Sequence, residues 1–161
     1  MIEWLQASAY AAQIRESQFI YPLLQSVHIC AIAMFAGSMM LVNLRLAGVG
    51  RSIPLLDFNR HVLPVAWLGV ALFGLTGLNM AVGFIEVFAV NPVMQTKLVL
   101  VGFAIANAAF IQRNVSGGSS ARWAIAPPSE GQARAWGAIC ISILLTLIIL
   151  GKLLAYIGGK D

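Results

Sequence analysis

A single histidine, His28, stands nine residues beyond Phe19 in "SQFIYPLLQSVHICAIAMFAG", a run otherwise suited to lipid. Tyr21, Gln25, His28, Ile32, Phe35, Met39 and Val42 recur at spacings of four and three, one continuous helical face, so His28 is predicted to point at neighbouring helices. An ionisable group inside a membrane is costly when unpaired and by default suggests function. A neutral imidazole there has three uses. It can hydrogen-bond a neighbouring helix and tie it down. It can present a nitrogen lone pair to the iron of a haem b. It can also join the soft donors Cys30, Met34, Met39, Met40, Met80 and Met94 around copper. Cys30 weakens the copper reading, because two residues along a helix turn it about 160° away from His28.

Haem needs a slot between helices and cations near its propionates. Lys97 and Lys152 are the candidates: each lies near a span end, shallower than His28 and on the same membrane face. Snorkelling to lipid headgroups is their plain alternative. The sixth iron ligand is then Met80, the only thioether of the second apolar stretch, or His28 of a second copy, or nothing. Depth counting at about 1.5 Å per residue puts His28 roughly 13 Å below Phe19. The same count along the second stretch reaches Asn79 and Met80 from Phe88, or Leu75 from Phe84. His61 begins that stretch beside Arg60, across the membrane from His28, so the two histidines cannot share one metal within a chain. The spans contain no Ser/His/Asp, Cys/His or paired-carboxylate arrangement, and no acidic residue for a proton relay. The expectation is an electron-transfer or structural subunit rather than a hydrolytic enzyme.

These residues must be positioned by membrane helices. With 60% apolar and 10% charged residues and a mean hydropathy of +0.85, the chain has more apolar surface than a soluble domain of its size buries. Four stretches reach the roughly 20 residues that span hydrocarbon: Phe19 to Leu44, Val62 to Phe84, Val93 to Ile111 and Ala135 to Ile157. The expected fold is all-α: a single integral membrane domain, an up-down four-helix bundle. The segment "MIEWLQASAYAAQIRES" lacks the features of a signal peptide. Its Trp4, Ala7, Ala11 and Ile14 predict a short N-terminal helix lying in the interface. "NPVMQTK" supplies Asn91 as a cap and Pro92 as a first helical residue.

The loops joining spans one to two and three to four carry Arg45, Arg51, Arg60, Arg113, Arg122 and Arg134, against few cations on the other face. Positive residues favour the cytoplasm, so both termini are expected in the periplasm of a bacterium, with the chain in the inner membrane. The net charge of +4 reflects this bias and implies no nucleic acid. Cys30 and Cys140 fall at different depths, which disfavours a disulfide. Gly69, Phe73, Thr76, Met80 and Gly83 on span two, and Ala104, Ala108 and Ile111 on span three, form small-residue faces that permit close helix approach. They suggest a homo-oligomer or a subunit of a larger membrane complex.

The stretch "WLQASAYAAQIRESQFIYPLLQSVHICAIAMFAGSMMLVNLRLAG", with Leu63 and Pro64, "NPVMQTK", Asn107 and "GKLLAY", resembles a family of small bacterial four-helix membrane proteins known as domain of unknown function 6644. The resemblance covers nearly the whole chain and implies a fold and topology but no activity. It carries over to His28, Gly37, Arg45, Pro64, Asn91, Pro92, Lys97 and Asn107, and departs at Asn43, where the family pattern has an aspartate. A looser, fold-level similarity is to cytochrome b561-type and copper-resistance membrane proteins, whose span histidines hold haem or copper. The leading expectation is a haem b subunit passing electrons between a quinone or membrane partner and a periplasmic redox protein. The rival is a cofactor-free scaffold or accessory subunit.

Topology is tested with an impermeant thiol reagent on a background lacking Cys30 and Cys140. Ala9→Cys is expected to react from outside and Ser119→Cys is not; labelling of Ser119→Cys from outside would reverse the orientation.

Overall fold

The computed structural model describes residues 4, 7–50, 52–84, 91–115, 123 and 128–157. Five helices lie among them: α1 (Ala9–Glu16), α2 (Ile20–Leu46), α3 (Leu55–Gly83), α4 (Pro92–Val115) and α5 (Glu130–Ile157). Helices α2 to α5 are long and apolar enough to cross a membrane, which fits a multi-pass membrane protein.

Capping side chains mark where α4 and α5 begin. The Asn91 side chain accepts from the backbone N–H of Val93 at 2.9 Å, with Pro92 as the first helical residue, as expected. Helix α5 begins with a reciprocal box: Ser129 Oγ accepts from Gln132 N–H, and Gln132 Oε1 accepts from Ser129 N–H. Helix α3 starts at Leu55, well before the apolar stretch that opens at Val62, so Asp57, Asn59, Arg60 and His61 are helical. The backbone ladder continues through polar residues until a cap or a breaker intervenes. After α2 the chain turns through Gly48 and Gly50, whose φ of 105° and 67° a side chain rarely adopts. Arg45 braces this turn by donating from Nε and Nη2 to Ile53 O at 3.0 and 2.7 Å.

The short N-terminal helix starts later than its apolar pattern suggests. Ser8 is its cap, accepting from Ala11 N–H at 3.2 Å, so Ala7 lies ahead of it, and Trp4 is 75% exposed. The buried residues of α1 are Ala11 and Ile14.

Helices α2 and α3 make the most extensive pairing, and α5 packs on both α2 and α4. Along α2 and α3 the contacts run in opposite order. Tyr21 meets Phe84 edge-on at 5.3 Å between ring centroids, His28 meets Thr76, and Phe35 lies against Gly69. The core collects toward the C-terminal half of α2, where Phe35, Met39, Val42 and Leu46 join Leu63 and Ala66 of α3, Ala104, Ala108 and Ile111 of α4, and Leu144 of α5. Outside, Leu68, Leu75, Leu78, Val99, Phe103 and Ile149 present apolar side chains, the surface that lipid accepts at no cost.

This arrangement corrects two expectations. Gln25, placed on the inward face of α2 by its spacing, is exposed. The small-residue faces proposed for association are consumed inside the chain: Gly69 seats the α2 backbone, Gly83 seats Ile14, and Ala104, Ala108 and Ile111 are core. Small residues let two backbones approach, and the nearest backbone here is the chain's own.

A Cβ added at Gly69 would stand 2.8 Å from Phe35 N and 2.9 Å from Ala31 O, both backbone atoms that cannot swing aside, whereas one at Gly74 meets nothing within 4 Å. Thermal unfolding in mild detergent should therefore separate the pair. Gly69→Ala is expected to cost about 1–3 kcal/mol through overpacking, and Gly74→Ala to be neutral or to gain up to about 1 kcal/mol of helix propensity.

Candidate functional site

His28 is half-buried on α2, two turns inside its N-terminal end. Its Nδ1 lies 2.8 Å from Thr76 Oγ1 on α3. Phe73, one turn away on α3, stands edge-on to the imidazole at 6.4 Å and 87°. Gly77 completes the seat: a Cβ there would come within 3.1 Å of His28 Cε1, so the ring edge rests where a side chain would otherwise be. Three positions on about one turn of α3 thus hold three edges of the ring. Among the described residues Nε2 has no hydrogen-bond partner, and it is not among the sealed unpaired polar atoms, which belong to Asn59.

The register explains why sequence counting reached Met80 or Leu75 rather than Thr76. Tyr21 packs on Phe84, so Phe84 is the span end from which depth should be counted, and that count runs one residue past Thr76 to Leu75. Met80 is half-buried one turn beyond Thr76, and the recorded polar and ring contacts of His28 go to Thr76 and Phe73. With the ring edge against Gly77, no planar group passes between His28 and this face of α3. Lys97, half-buried near the start of α4, lies within electrostatic reach of His28. Lys152 lies on the last turns of α5, and its side chain is outside the described residues.

Cys30 is exposed while Met39 is fully buried in the core, and among the described residues no three His, Cys, Asp or Glu side chains form a metal-binding group. Cys30 and Cys140 are both free thiols. His61 is exposed at the far end of α3, where Nδ1 donates to Asp57 O at 2.8 Å.

A second polar cluster, in which the sequence singles out Asn43 and Asn107 but not their contact, lies deep in the bundle. Asn43 is fully buried and donates from Nδ2 to Met39 O at 2.8 Å. Its Oδ1 accepts from Asn107 Nδ2 at 3.4 Å, and Asn107 Oδ1 accepts from Trp136 Nε1 at 2.9 Å. Three helices are joined through this chain of amides. Gly137 stands beside it because a Cβ there would lie 2.6 Å from Asn43 O. Nearer the surface, Trp67 Nε1 donates to Gln112 Oε1 and ties α3 to α4. The signal available in the sequence was the set of asparagines in apolar runs, since a buried amide needs partners.

Asn59 is the exception: it is fully buried on α3, and among the described residues neither Oδ1 nor Nδ2 finds a partner. Unfolding of two variants separates the cases. Asn107→Leu strands Trp136 Nε1 and Asn43 Oδ1 and is expected to cost about 1–2 kcal/mol. Asn59→Leu removes two unsatisfied groups and is expected to be neutral or stabilising. A loss at Asn59→Leu as large as at Asn107→Leu would show that its amide is in use.

No family model matches the chain, and no curated protein or solved structure matches it.

Proposed function

We propose that the chain is a non-catalytic haem b subunit of a bacterial inner membrane, passing electrons between a quinone or membrane partner and a periplasmic redox protein. The observation that carries this reading is the state of His28: one ring nitrogen is engaged by α3, and the other has no hydrogen-bond partner among the described residues. That is the arrangement of an axial histidine, whose outer nitrogen is oriented by a neighbouring group while the inner one faces the metal. The group, when bound, supplies one-electron redox chemistry at its iron. His28 would hold it through Nε2, with Lys97, whose charge acts on His28, and Lys152 as the cations for its anionic propionates. Met80 serves as a second ligand only if its side chain reaches around the Gly77 seat, so a single protein ligand, or His28 of a second copy, suits the packing better.

The remaining parts of the proposal follow the same reading. The four long helices form an up-down bundle with both termini in the periplasm, α1 lies in the outer interface, and the chain belongs with the family of domain of unknown function 6644. Association with a second copy or a larger complex supplies the electron donor and acceptor that the chain lacks among its own residues.

A second reading, a cofactor-free accessory subunit, is favoured by the same Thr76 bond, since a purely structural histidine would also tie two helices together. Copper handling is the weakest alternative, because Cys30 is exposed while Met39 is sealed in the core.

The absorption spectrum of the protein purified in mild detergent distinguishes the first two. A Soret band that His28→Ala abolishes, with helix content unchanged, supports the haem subunit. A colourless and fully folded preparation, after growth with ample haem precursor, overturns it in favour of the accessory subunit. Native mass measurement of the same sample tests association, for which a species strictly at the 17.2 kDa chain mass is the opposing result.

A further inference from the structure

We infer that Thr76 is a positioning residue that fixes His28 in one neutral tautomer, with the proton on Nδ1 and the lone pair on Nε2. A threonine hydroxyl has one proton to give. Thr76 Oγ1 lies 2.8 Å from Leu72 O and 3.3 Å from Phe73 O, and a carbonyl only accepts, so the hydroxyl proton is directed into the α3 backbone. Toward His28, 2.8 Å away, Thr76 then offers only a lone pair. The proton of that bond must therefore come from Nδ1.

The rest of the seat removes the other ways for the ring to settle. Rotating the imidazole about its outer bond would carry Cδ2 to the position of Nδ1 and break the bond to Thr76. The missing Cβ at Gly77 leaves a recess shaped to Cε1, and Phe73 stands across the ring at 87°. Leu72, Phe73, Thr76 and Gly77 act together: they take up the protonated nitrogen and leave Nε2 as the one basic atom directed away from α3. Val at position 76 has nearly the same shape and lacks the hydroxyl, whereas Ser keeps it. The tautomer stands on the geometry alone; its use, presenting Nε2 to iron, rests on the haem reading above.

Nitrogen NMR of the full-length chain, labelled at histidine, expressed without added haem precursor and held in mild detergent at mildly alkaline pH, tests this. The His61→Gln background removes the other histidine. The expected result is one protonated nitrogen, assigned to Nδ1, and one bare nitrogen, assigned to Nε2. Thr76→Ser should keep that pattern and Thr76→Val should replace it with a mixture of both tautomers, helix content being equal. A proton on Nε2 in the unsubstituted residue, or an unchanged single tautomer in Thr76→Val, overturns the inference. Should Thr76→Val fail to fold, the nitrogen assignment in the parent chain still decides it. The measurement needs no haem, so the expected tautomer here, together with a colourless preparation after growth with ample haem precursor, would sink the cofactor reading and leave the positioning role intact.

Discussion

Helices α2 and α3 approach so closely at Gly69 that a single methyl group there would strike the α2 backbone. Much of the molecule is arranged by that approach. It fixes the register in which Tyr21 meets Phe84, His28 meets Thr76 and Phe35 meets Gly69. Because both helices are stiff over this length, the spacing at one contact is transmitted to the next. The imidazole of His28 reaches Thr76 Oγ1 at 2.8 Å only while α3 stays within one side-chain layer of α2, and the bare backbone of Gly77 gives the ring its place. In lipid, apolar contact between helices has no drive from water, so shape of this kind and interhelical hydrogen bonds are what hold the pair together.

The polar interior follows the same logic in the other half of the bundle. Asn43 uses its amide as donor to Met39 O and as acceptor from Asn107, while Asn107 also accepts from Trp136. A carboxylate at position 43 would offer no donor to a backbone carbonyl, and burying its charge without a cation would be costly. With an amide at Asn43, the site is a neutral link between three helices. Asn59, in the same half, shows by contrast what an amide looks like when neighbours do not complete it.

The end of the bundle nearest His28 is closed by α1. Ile14 fills the space above Gly83, where a Cβ would come within 2.9 Å of it, and Arg15 donates to Gly83 O at 3.2 Å. That carbonyl belongs to the last turn of α3, where backbone oxygens lack partners and a cation is favoured. Tyr10 adds a hydrogen bond to Asn79, three residues from Thr76. The segment that reads as a small amphipathic helix therefore packs as part of the α2 and α3 pair, one turn from the histidine.

The sequence by itself determined the membrane class, the four long helices and many of their ends, because length, hydropathy and capping residues act locally. Asn91 and Pro92 needed nothing from the rest of the chain, whereas the start of α5 at Glu130, behind the Ser129 box, lies five residues before the apolar stretch that opens at Ala135. It also singled out His28, since a lone ionisable group in an apolar run is visible without a fold. Which residue His28 would meet was decided by tertiary structure: a shift of one residue in the α2–α3 register exchanges Leu75 for Thr76, and the Tyr21 to Phe84 contact that sets it joins residues 63 apart in the chain. The role of the glycines was equally out of reach. Gly69 and Gly74 look alike in sequence, yet one faces a backbone and the other open space. Periodicity says which residues share a face, but the choice of neighbour is made only when all the helices compete to pack.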